Sequence, residues 1–188
     1  MLKSYPGAPV LVLGGGAKSI GLYAAGIAVA LGSRRVDYLD SCPDRLAIAQ
    51  KLGANPVKYK PSDGWFRKGE APGPEKPLVT VDACASVSGF QYTLRSLAPG
   101  GRCTSVCFYF RKGTPTPLFQ MYLNSTTLHV GVSHPRAVLP DVLKLIAGGE
   151  FHPEIVTTLR ANWEDAPDAY MEKTTKVVLT RKSNFSNI

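Results

Sequence analysis

A run of β-branched and leucine residues, Val10 to Leu13, stops abruptly at Gly14, Gly15 and Gly16. A small, apolar segment of helical period follows, so that residues 10–32 read VLVLGGGAKSIGLYAAGIAVALG. Strand, glycine turn and helix in that order build an anion cradle. Glycine permits the tight turn and a close approach of backbone to ligand, and the unpaired N–H groups at the helix start point at the anion. Opening a chain of alternating strands and helices, such a turn is expected to hold a dinucleotide pyrophosphate. The helix is predicted from about Ser19 to Leu31, with Ile20, Ala24, Ile27 and Leu31 as its stripe. Ala25, Gly26, Ala28 and Ala30 are small, which lets it pack closely on a sheet, and Gly32 ends it.

The alternation continues. Arg35 to Asp40 predicts a second strand, and a second helix starts at Ser41-Cys42-Pro43, with Leu46, Ala49 and Leu52 inward and Gly53 as its stop. Pro56 to Tyr59 predicts a short third strand. Residues 60–77 are rich in Pro and Gly and predict a long irregular connection, pinned to the body by Trp65 and Phe66. Leu78 to Cys84 is a fourth strand, followed by a helix with Phe90, Leu94 and Leu97 inward. Arg102 to Phe108 is a fifth strand, a helical turn is expected at Leu118–Leu123, and Thr126 to Val132 is a sixth strand. The next helix would face inward through Val138, Val142, Leu145 and Ile146, with Pro140 in its first turn or at a kink. Beyond it, Glu154 to Leu159 reads as a strand, Asp165 to Lys173 as a short helix and Lys176 to Thr180 as a closing strand, while the tail SNFSNI is expected to be disordered. Strand–helix–strand order implies parallel pairing with right-handed crossovers.

Composition narrows the function classes. The 188 residues suit one domain or one domain with a short appendage. No apolar run approaches a membrane span and MLKSYPGAP lacks a signal-peptide core, so a soluble, cytoplasmic protein is expected. The net charge of +8 is spread over scattered pairs such as Arg34-Arg35 and Arg67-Lys68, without a basic stripe interleaved with aromatics, which argues against nucleic acid as the partner. Cys42, Cys84, Cys103 and Cys107 contain no Cys-x-x-Cys pair, and His129, His134 and His152 lack ligand spacing, so no zinc site is expected. Cys103 and Cys107, at even spacing on one predicted strand, would share a buried face.

Asp40 raises the glycine turn above a generic one. It ends the second strand, 19 residues after Gly21. An acidic residue there accepts hydrogen bonds from the adenosine ribose hydroxyls and repels a 2′-phosphate, which favours NAD over NADP. The turn has four residues between Gly16 and Gly21, two more than G-x-G-x-x-G. Read from Gly15, the segment approaches the G-x-x-x-G-x-G turn of short-chain dehydrogenases, but no tyrosine is followed by a lysine four positions later, and that proton-transfer pair is needed there.

Three segments together resemble the nucleotide-binding half of the medium-chain, zinc-type alcohol dehydrogenases: PVLVLGGGAKSIGLYAAGIAVALGSRRVDYLDSCPDRLAIAQKLGA, LRSLAPGGRCTSV and WEDAPDAYMEKTTKVVLT. The resemblance implies that Gly14, Gly16, Ser19, Ile20 and Gly21 line the pyrophosphate turn, with Lys18 as an added cation. It implies that Asp40 holds the adenosine ribose with Arg45 on the adenine side, and that Cys84 and Ala85 face the cofactor. Val106, Cys107 and residues Gly131 to Ser133 would approach the nicotinamide. In that family the catalytic zinc and proton relay lie mainly in a separate N-terminal half, which this sequence lacks. The chain is therefore expected to be part of a longer dehydrogenase, inactive alone.

The fold expected is a Rossmann-type doubly wound α/β domain with six parallel strands in the order 3-2-1-4-5-6. Residues 1–153 would form it, and residues 154–188 would return to the catalytic half. The family's habit of pairing sixth strands implies a homodimer through Thr126 to Val132. Two rival functions remain open: a stand-alone NAD-binding or sensing module, and an S-adenosylmethionine-dependent methyltransferase. The latter usually places an acid just before the glycines, where this chain has Leu13.

Overall fold

The computed structural model describes residues 4–60, 69–110 and 112–181. The expectations for Trp65, Phe66 and the SNFSNI tail lie outside these residues. Six parallel strands form one sheet: β1 (Val10–Leu13), β2 (Val36–Asp40), β3 (Asn55–Lys58), β4 (Val79–Asp82), β5 (Arg102–Ser105) and β6 (Thr127–Val130). Their order is β3-β2-β1-β4-β5-β6, as expected. The chain reverses direction across the sheet between β1 and β4, which lie side by side with Val10 opposite Val79 and Leu13 opposite Asp82.

β1 is buried along its length because strands flank both its edges and helices cover both its faces. Its alternate side chains serve different layers. Val10 and Val12 pack with Leu22, Ala25 and Ala28 of α1 (Lys18–Ala30) and with Ile48 and Ala49 of α2 (Pro43–Lys51). Leu11 and Leu13 pack on the opposite face with Leu39 and with Tyr92 of α3 (Val87–Arg95). Phe90 and Leu94 of α3, and Leu97 just beyond it, form a further cluster with Cys103. Local chemistry sets the helix starts. Pro43 occupies the first turn of α2 and Ser86 caps α3, its hydroxyl accepting from Gly89 N–H at 3.2 Å.

The second half of the chain differs from expectation in several places. In α1 the small residues face the sheet, while Ile20 and Leu31 are exposed at 48% and 39%. Leu22 is the large residue on that buried face, and Gly26 makes room for Phe151, a Cβ there lying 2.8 Å from its ring. β5 ends at Ser105, so Cys107 lies off the strand and does not share a strand face with Cys103. α4 (Leu118–Asn124) and α5 (Pro135–Ala147) contain no buried residue; Val138 and Ile146 of α5 are exposed, and Val142 and Leu145 are half-buried. Pro140 sits inside α5, which starts at Pro135.

Of the strand expected over 154–159, only Leu159 lies in one. Pro153 opens a short 3-10 turn, Pro153–Val156, which drives Val156 into the core against α1 and α2. The strand lies later, as β7 (Leu159–Asn162), paired in parallel with β8 (Val177–Thr180) in a separate two-stranded sheet. Between them come a 3-10 turn and the short helix α6 (Ala166–Met171). Of the 60–77 connection, the described part is tied down by Arg34, which pairs with Glu75 at 2.6 Å, and by Tyr92, whose hydroxyl donates to the Glu70 carbonyl at 2.9 Å.

Candidate functional site

The strand order reverses between β1 and β4, and their C-terminal ends mark the candidate crevice. Open parallel sheets bind ligands at such switch points. The glycine turn forms one wall. Gly14 N–H donates to the Leu39 carbonyl at 2.8 Å, and Ala17 N–H donates to the Ala83 carbonyl at 2.9 Å, so the turn is sewn to β2 on one side and β4 on the other. Gly15 has φ +131°, a conformation that glycine adopts without strain. The helix begins at Lys18, and Gly21 lies one turn inside it, with its N–H bonded to the Ala17 carbonyl. The two added residues are thus taken up by the turn and the first helical turn. By helix geometry the N–H groups of Lys18, Ser19 and Ile20 have no partner within α1. No acidic side chain stands in that first turn to compete for them.

Missing side chains make the cradle possible. A Cβ on Gly14 would lie 2.6 Å from Asp40 Oδ2, and one on Gly16 would lie 2.8 Å from the Cys84 carbonyl oxygen and collide with the Ala85 methyl. Gly21 lets α1 approach β4, its own Cβ position being 3.2 Å from the Ala83 methyl. Ala85 is itself unusual: it holds φ +57° without being glycine.

Asp40 ends β2 with its side chain fully buried. Its Oδ1 accepts from Cys42 N–H at 2.9 Å and from Arg45 Nη2 at 2.7 Å. Its Oδ2 accepts from Arg45 Nε at 2.7 Å and from the Tyr38 hydroxyl at 2.9 Å. The Asp40 carboxylate holds the Arg45 guanidinium well above the usual arginine range. Burial, reinforced by Asp40, raises the Tyr38 phenol, which therefore stays a donor.

Across the crevice, Asp82 ends β4 and is also fully buried. Its Oδ2 accepts from Ser105 Oγ at 2.6 Å and from the Tyr109 hydroxyl at 2.7 Å. Its Oδ1 accepts from the Cys84 thiol at 3.0 Å and from Cys84 N–H at 3.2 Å. Burial first, and Asp82 second, push the Cys84 thiol up to about 12, so it is a neutral donor at ordinary pH. Burial also raises Cys107, and the N–H groups of Ala85 and Ala17 partly oppose that rise, which places this thiol beside the turn.

The structure thus brings Gly14, Gly16, Gly21, Asp40, Arg45, Cys84, Ala85 and Cys107 around one crevice, with Lys18, Ser19 and Ile20 at its helix end and Val106 beside Cys107. Lys18 also reaches away from it, donating to the Thr174 carbonyl at 3.3 Å. Gly131 and Ser133 lie exposed beyond β6, with β4 and β5 between that strand and the turn. Tyr38, Asp82, Ser105 and Tyr109 were not singled out from the sequence. Tyr38 had a signal, since it shares a strand face with Asp40. Asp82 had one too, as an acid ending an apolar strand. Nothing in the sequence marks the fold-back that carries Tyr109 to Asp82.

The features that suit a nicotinamide dinucleotide are the first-turn N–H groups of α1, with no acid beside them, and the strand-end carboxylate of Asp40 next to Gly14. Among the described residues, no group of three or more His, Cys, Asp or Glu side chains could hold a metal ion. No helix among them is long and apolar enough to cross a membrane.

Comparison with solved structures finds the same fold in known dehydrogenases. The alcohol dehydrogenase TADH from Thermus sp. ATN1 is 27% identical, with a TM-score of 0.80 over 94% of this chain and 52% of its own. A protein described as a short chain alcohol dehydrogenase, from Escherichia coli CFT073 and solved with NADH, is 19% identical with a TM-score of 0.77, over 93% of this chain and 52% of its own. A zinc-binding dehydrogenase from Sinorhizobium meliloti 1021, solved with NADP, is 18% identical with a TM-score of 0.77, over 92% of this chain and 52% of its own. The chain spans about half the length of these relatives. No curated protein sequence matches it. The family model for zinc-binding dehydrogenases matches residues 19–148, and the chain belongs to that family.

Proposed function

We propose that this chain is the dinucleotide-binding part of an alcohol dehydrogenase-like oxidoreductase and that its cofactor is NAD rather than NADP. The observation that carries the reading is the buried Asp40 carboxylate directly beneath Gly14, at the helix-start side of the crevice. In this reading the first-turn N–H groups of α1 and the Lys18 ammonium bind the pyrophosphate. Asp40 orients the adenosine ribose, and Arg45 covers the adenine side. Cys84, Ala85, Val106 and Cys107 line the path toward the nicotinamide, and Gly131 and Ser133 border its far end. The bound cofactor exchanges a hydride between an alcohol and a carbonyl compound, and this chain contributes position.

The family membership and the half-length match support a further step: the zinc, the proton relay and most of the substrate pocket belong to a second, catalytic half. We assign residues 1–153 to the nucleotide-binding unit and 154–188 to a segment that returns toward that half; the separate β7–β8 sheet supports the distinction from Leu159 onward, while Val156 packs in the core of the first unit. We also infer a homodimer through β6. That strand pairs with β5 alone in the sheet, and Val130 and Val132 are 63% and 85% exposed. The four cysteines are free thiols, in keeping with a reducing, cytoplasmic setting.

Calorimetry on the purified chain tests the reading. NADH is expected to bind, NADPH about tenfold more weakly or worse because of Asp40, and S-adenosylmethionine not at all. Binding of S-adenosylmethionine without NADH would overturn the proposal. Alcohols with NAD are expected to give no NADH absorbance; robust turnover would show that the chain needs no second half.

A further inference from the structure

Four donors converge on the Asp40 carboxylate, and together they fill the roughly four acceptor directions such a group has. A ribose hydroxyl that donates to Asp40 must therefore displace one of them. The four are not equally able to leave. Cys42 N–H is backbone at the start of α2. Arg45 is the one side-chain donor of the four that keeps some exposure, 12%, and it stands on a long flexible stem, so it is the one a ligand can displace. Tyr38 cannot move. Its ring is fully buried in the core between β1, α1 and α2. The face of α1 closes on it, an ideal Cβ at Gly21 lying 3.5 Å from its Cε2, and Gly14 lies so near its hydroxyl that any Cβ there would collide with it.

We propose that the Tyr38 hydroxyl is the positioning group of the ribose site: it holds Asp40 Oδ2 from inside the sheet while Arg45 yields to the ligand. The inference rests on the reading of Asp40 as the ribose carboxylate. It also gives Gly14 a second task, since the space left by its missing side chain is taken by the Tyr38 phenol and the Asp40 carboxylate. Tyr38 touches no ligand and acts through Asp40.

Tyr38→Phe keeps the ring and removes only the donor. The test titrates the purified chain with NAD and with the NAD analogue lacking the adenosine 2′- and 3′-hydroxyls. Wild type is expected to favour NAD. Tyr38→Phe is expected to weaken NAD about tenfold and leave the analogue within about twofold, the change one hydrogen bond to a charged group can carry. Equal weakening of both ligands, or undiminished discrimination, would overturn the inference and leave the ribose reading intact. Equal binding of both ligands by wild type would remove the reading and the inference with it. A double-mutant cycle gives an independent check. In an Asp40→Asn background Tyr38→Phe should have no further effect on NAD affinity, and additive losses would count against Tyr38 acting through Asp40.

Discussion

Arg45 grips Asp40 with two parallel hydrogen bonds, Nε to Oδ2 and Nη2 to Oδ1, each 2.7 Å long. The carboxylate is fully buried and the arginine nearly so. Removing the cation leaves an anion out of water with only Tyr38 and a backbone N–H to hold it. Arg45→Ala is expected to lower stability by about 3 kcal/mol, because a buried charge loses its partner. Urea denaturation followed by circular dichroism measures it. A loss under about 0.5 kcal/mol, the range of ordinary surface changes, would mean that water reaches Asp40 once Arg45 is gone.

Gly16 packs directly against Ala85 and the Cys84 carbonyl. Gly16→Ala places a methyl against the Ala85 methyl and 2.8 Å from the Cys84 carbonyl oxygen, so the turn must shift. The variant is expected to lose NADH affinity at least tenfold, since a shift of the turn moves the anion-binding N–H groups. Ala85→Gly removes both one colliding methyl and a left-handed alanine at φ +57°, which costs roughly 1 kcal/mol. The double variant should recover part of the affinity. Its failure to do better than Gly16→Ala alone would place the obstruction at the Cys84 carbonyl.

Alkaline pH should weaken the fold. Burial pushes the Cys103 thiol from near 9 up to about 11, and burial with Asp82 pushes Cys84 from near 9 up to about 12. Above pH 9 the unfolded chain releases protons that the folded chain retains. Stability therefore falls as pH rises from about 9 toward 11 for Cys103, and toward 12 for Cys84. The slope is at most about 1.4 kcal/mol per pH unit for each thiol. Urea midpoints at about pH 8 and about pH 10 test this. Cys103→Ala should flatten the dependence even though it lowers stability at neutral pH; an unchanged slope would assign the effect to other groups.

The outer edge of β6 gives the fourth expectation. Val130→Lys puts a charge where two sixth strands would meet, and charges on edge strands block pairing. Light scattering should show a dimer for the wild type and a monomer for the variant. A monomeric wild type would remove the β6 dimer.

The first half of the fold was legible because each local signal agrees with its neighbours. Val10 to Leu13, the glycines, Pro43 and Gly53 each mark a boundary, and β-strand and helix periods do not compete there. Legibility fell where burial depends on what else is present. Val138 and Ile146 have the spacing of an inward stripe, yet α5 leaves both exposed. Ile20 and Leu31 looked like the buried face of α1, but the face that packs inward is Leu22, Ala25, Gly26 and Ala28, a different phase of the same helix. Pro153 overrode the strand pattern of Ile155 and Val156 by fixing a turn. In the site, Asp40 was readable from its place at a strand end. Its occupation by Arg45 and Tyr38 was not, because hydrogen-bond pairing depends on rotamers that sequence spacing does not specify.

The register of β1 against β4 also bears on how the protein assembles. β1, β2 and β3 with α1 and α2 are joined by short connections, and β4 and β5 with α3 form a second local unit. These two units meet in the sheet only where Val10 to Leu13 pair with Val79 to Asp82, contacts that close the long 59–78 connection. Loop closure of that length is paid before the pairing rewards it, which slows folding. Gly16 comes from one unit and Ala85 from the other, and they touch on that seam, so the packing around the glycine turn is complete only once β1 and β4 have paired.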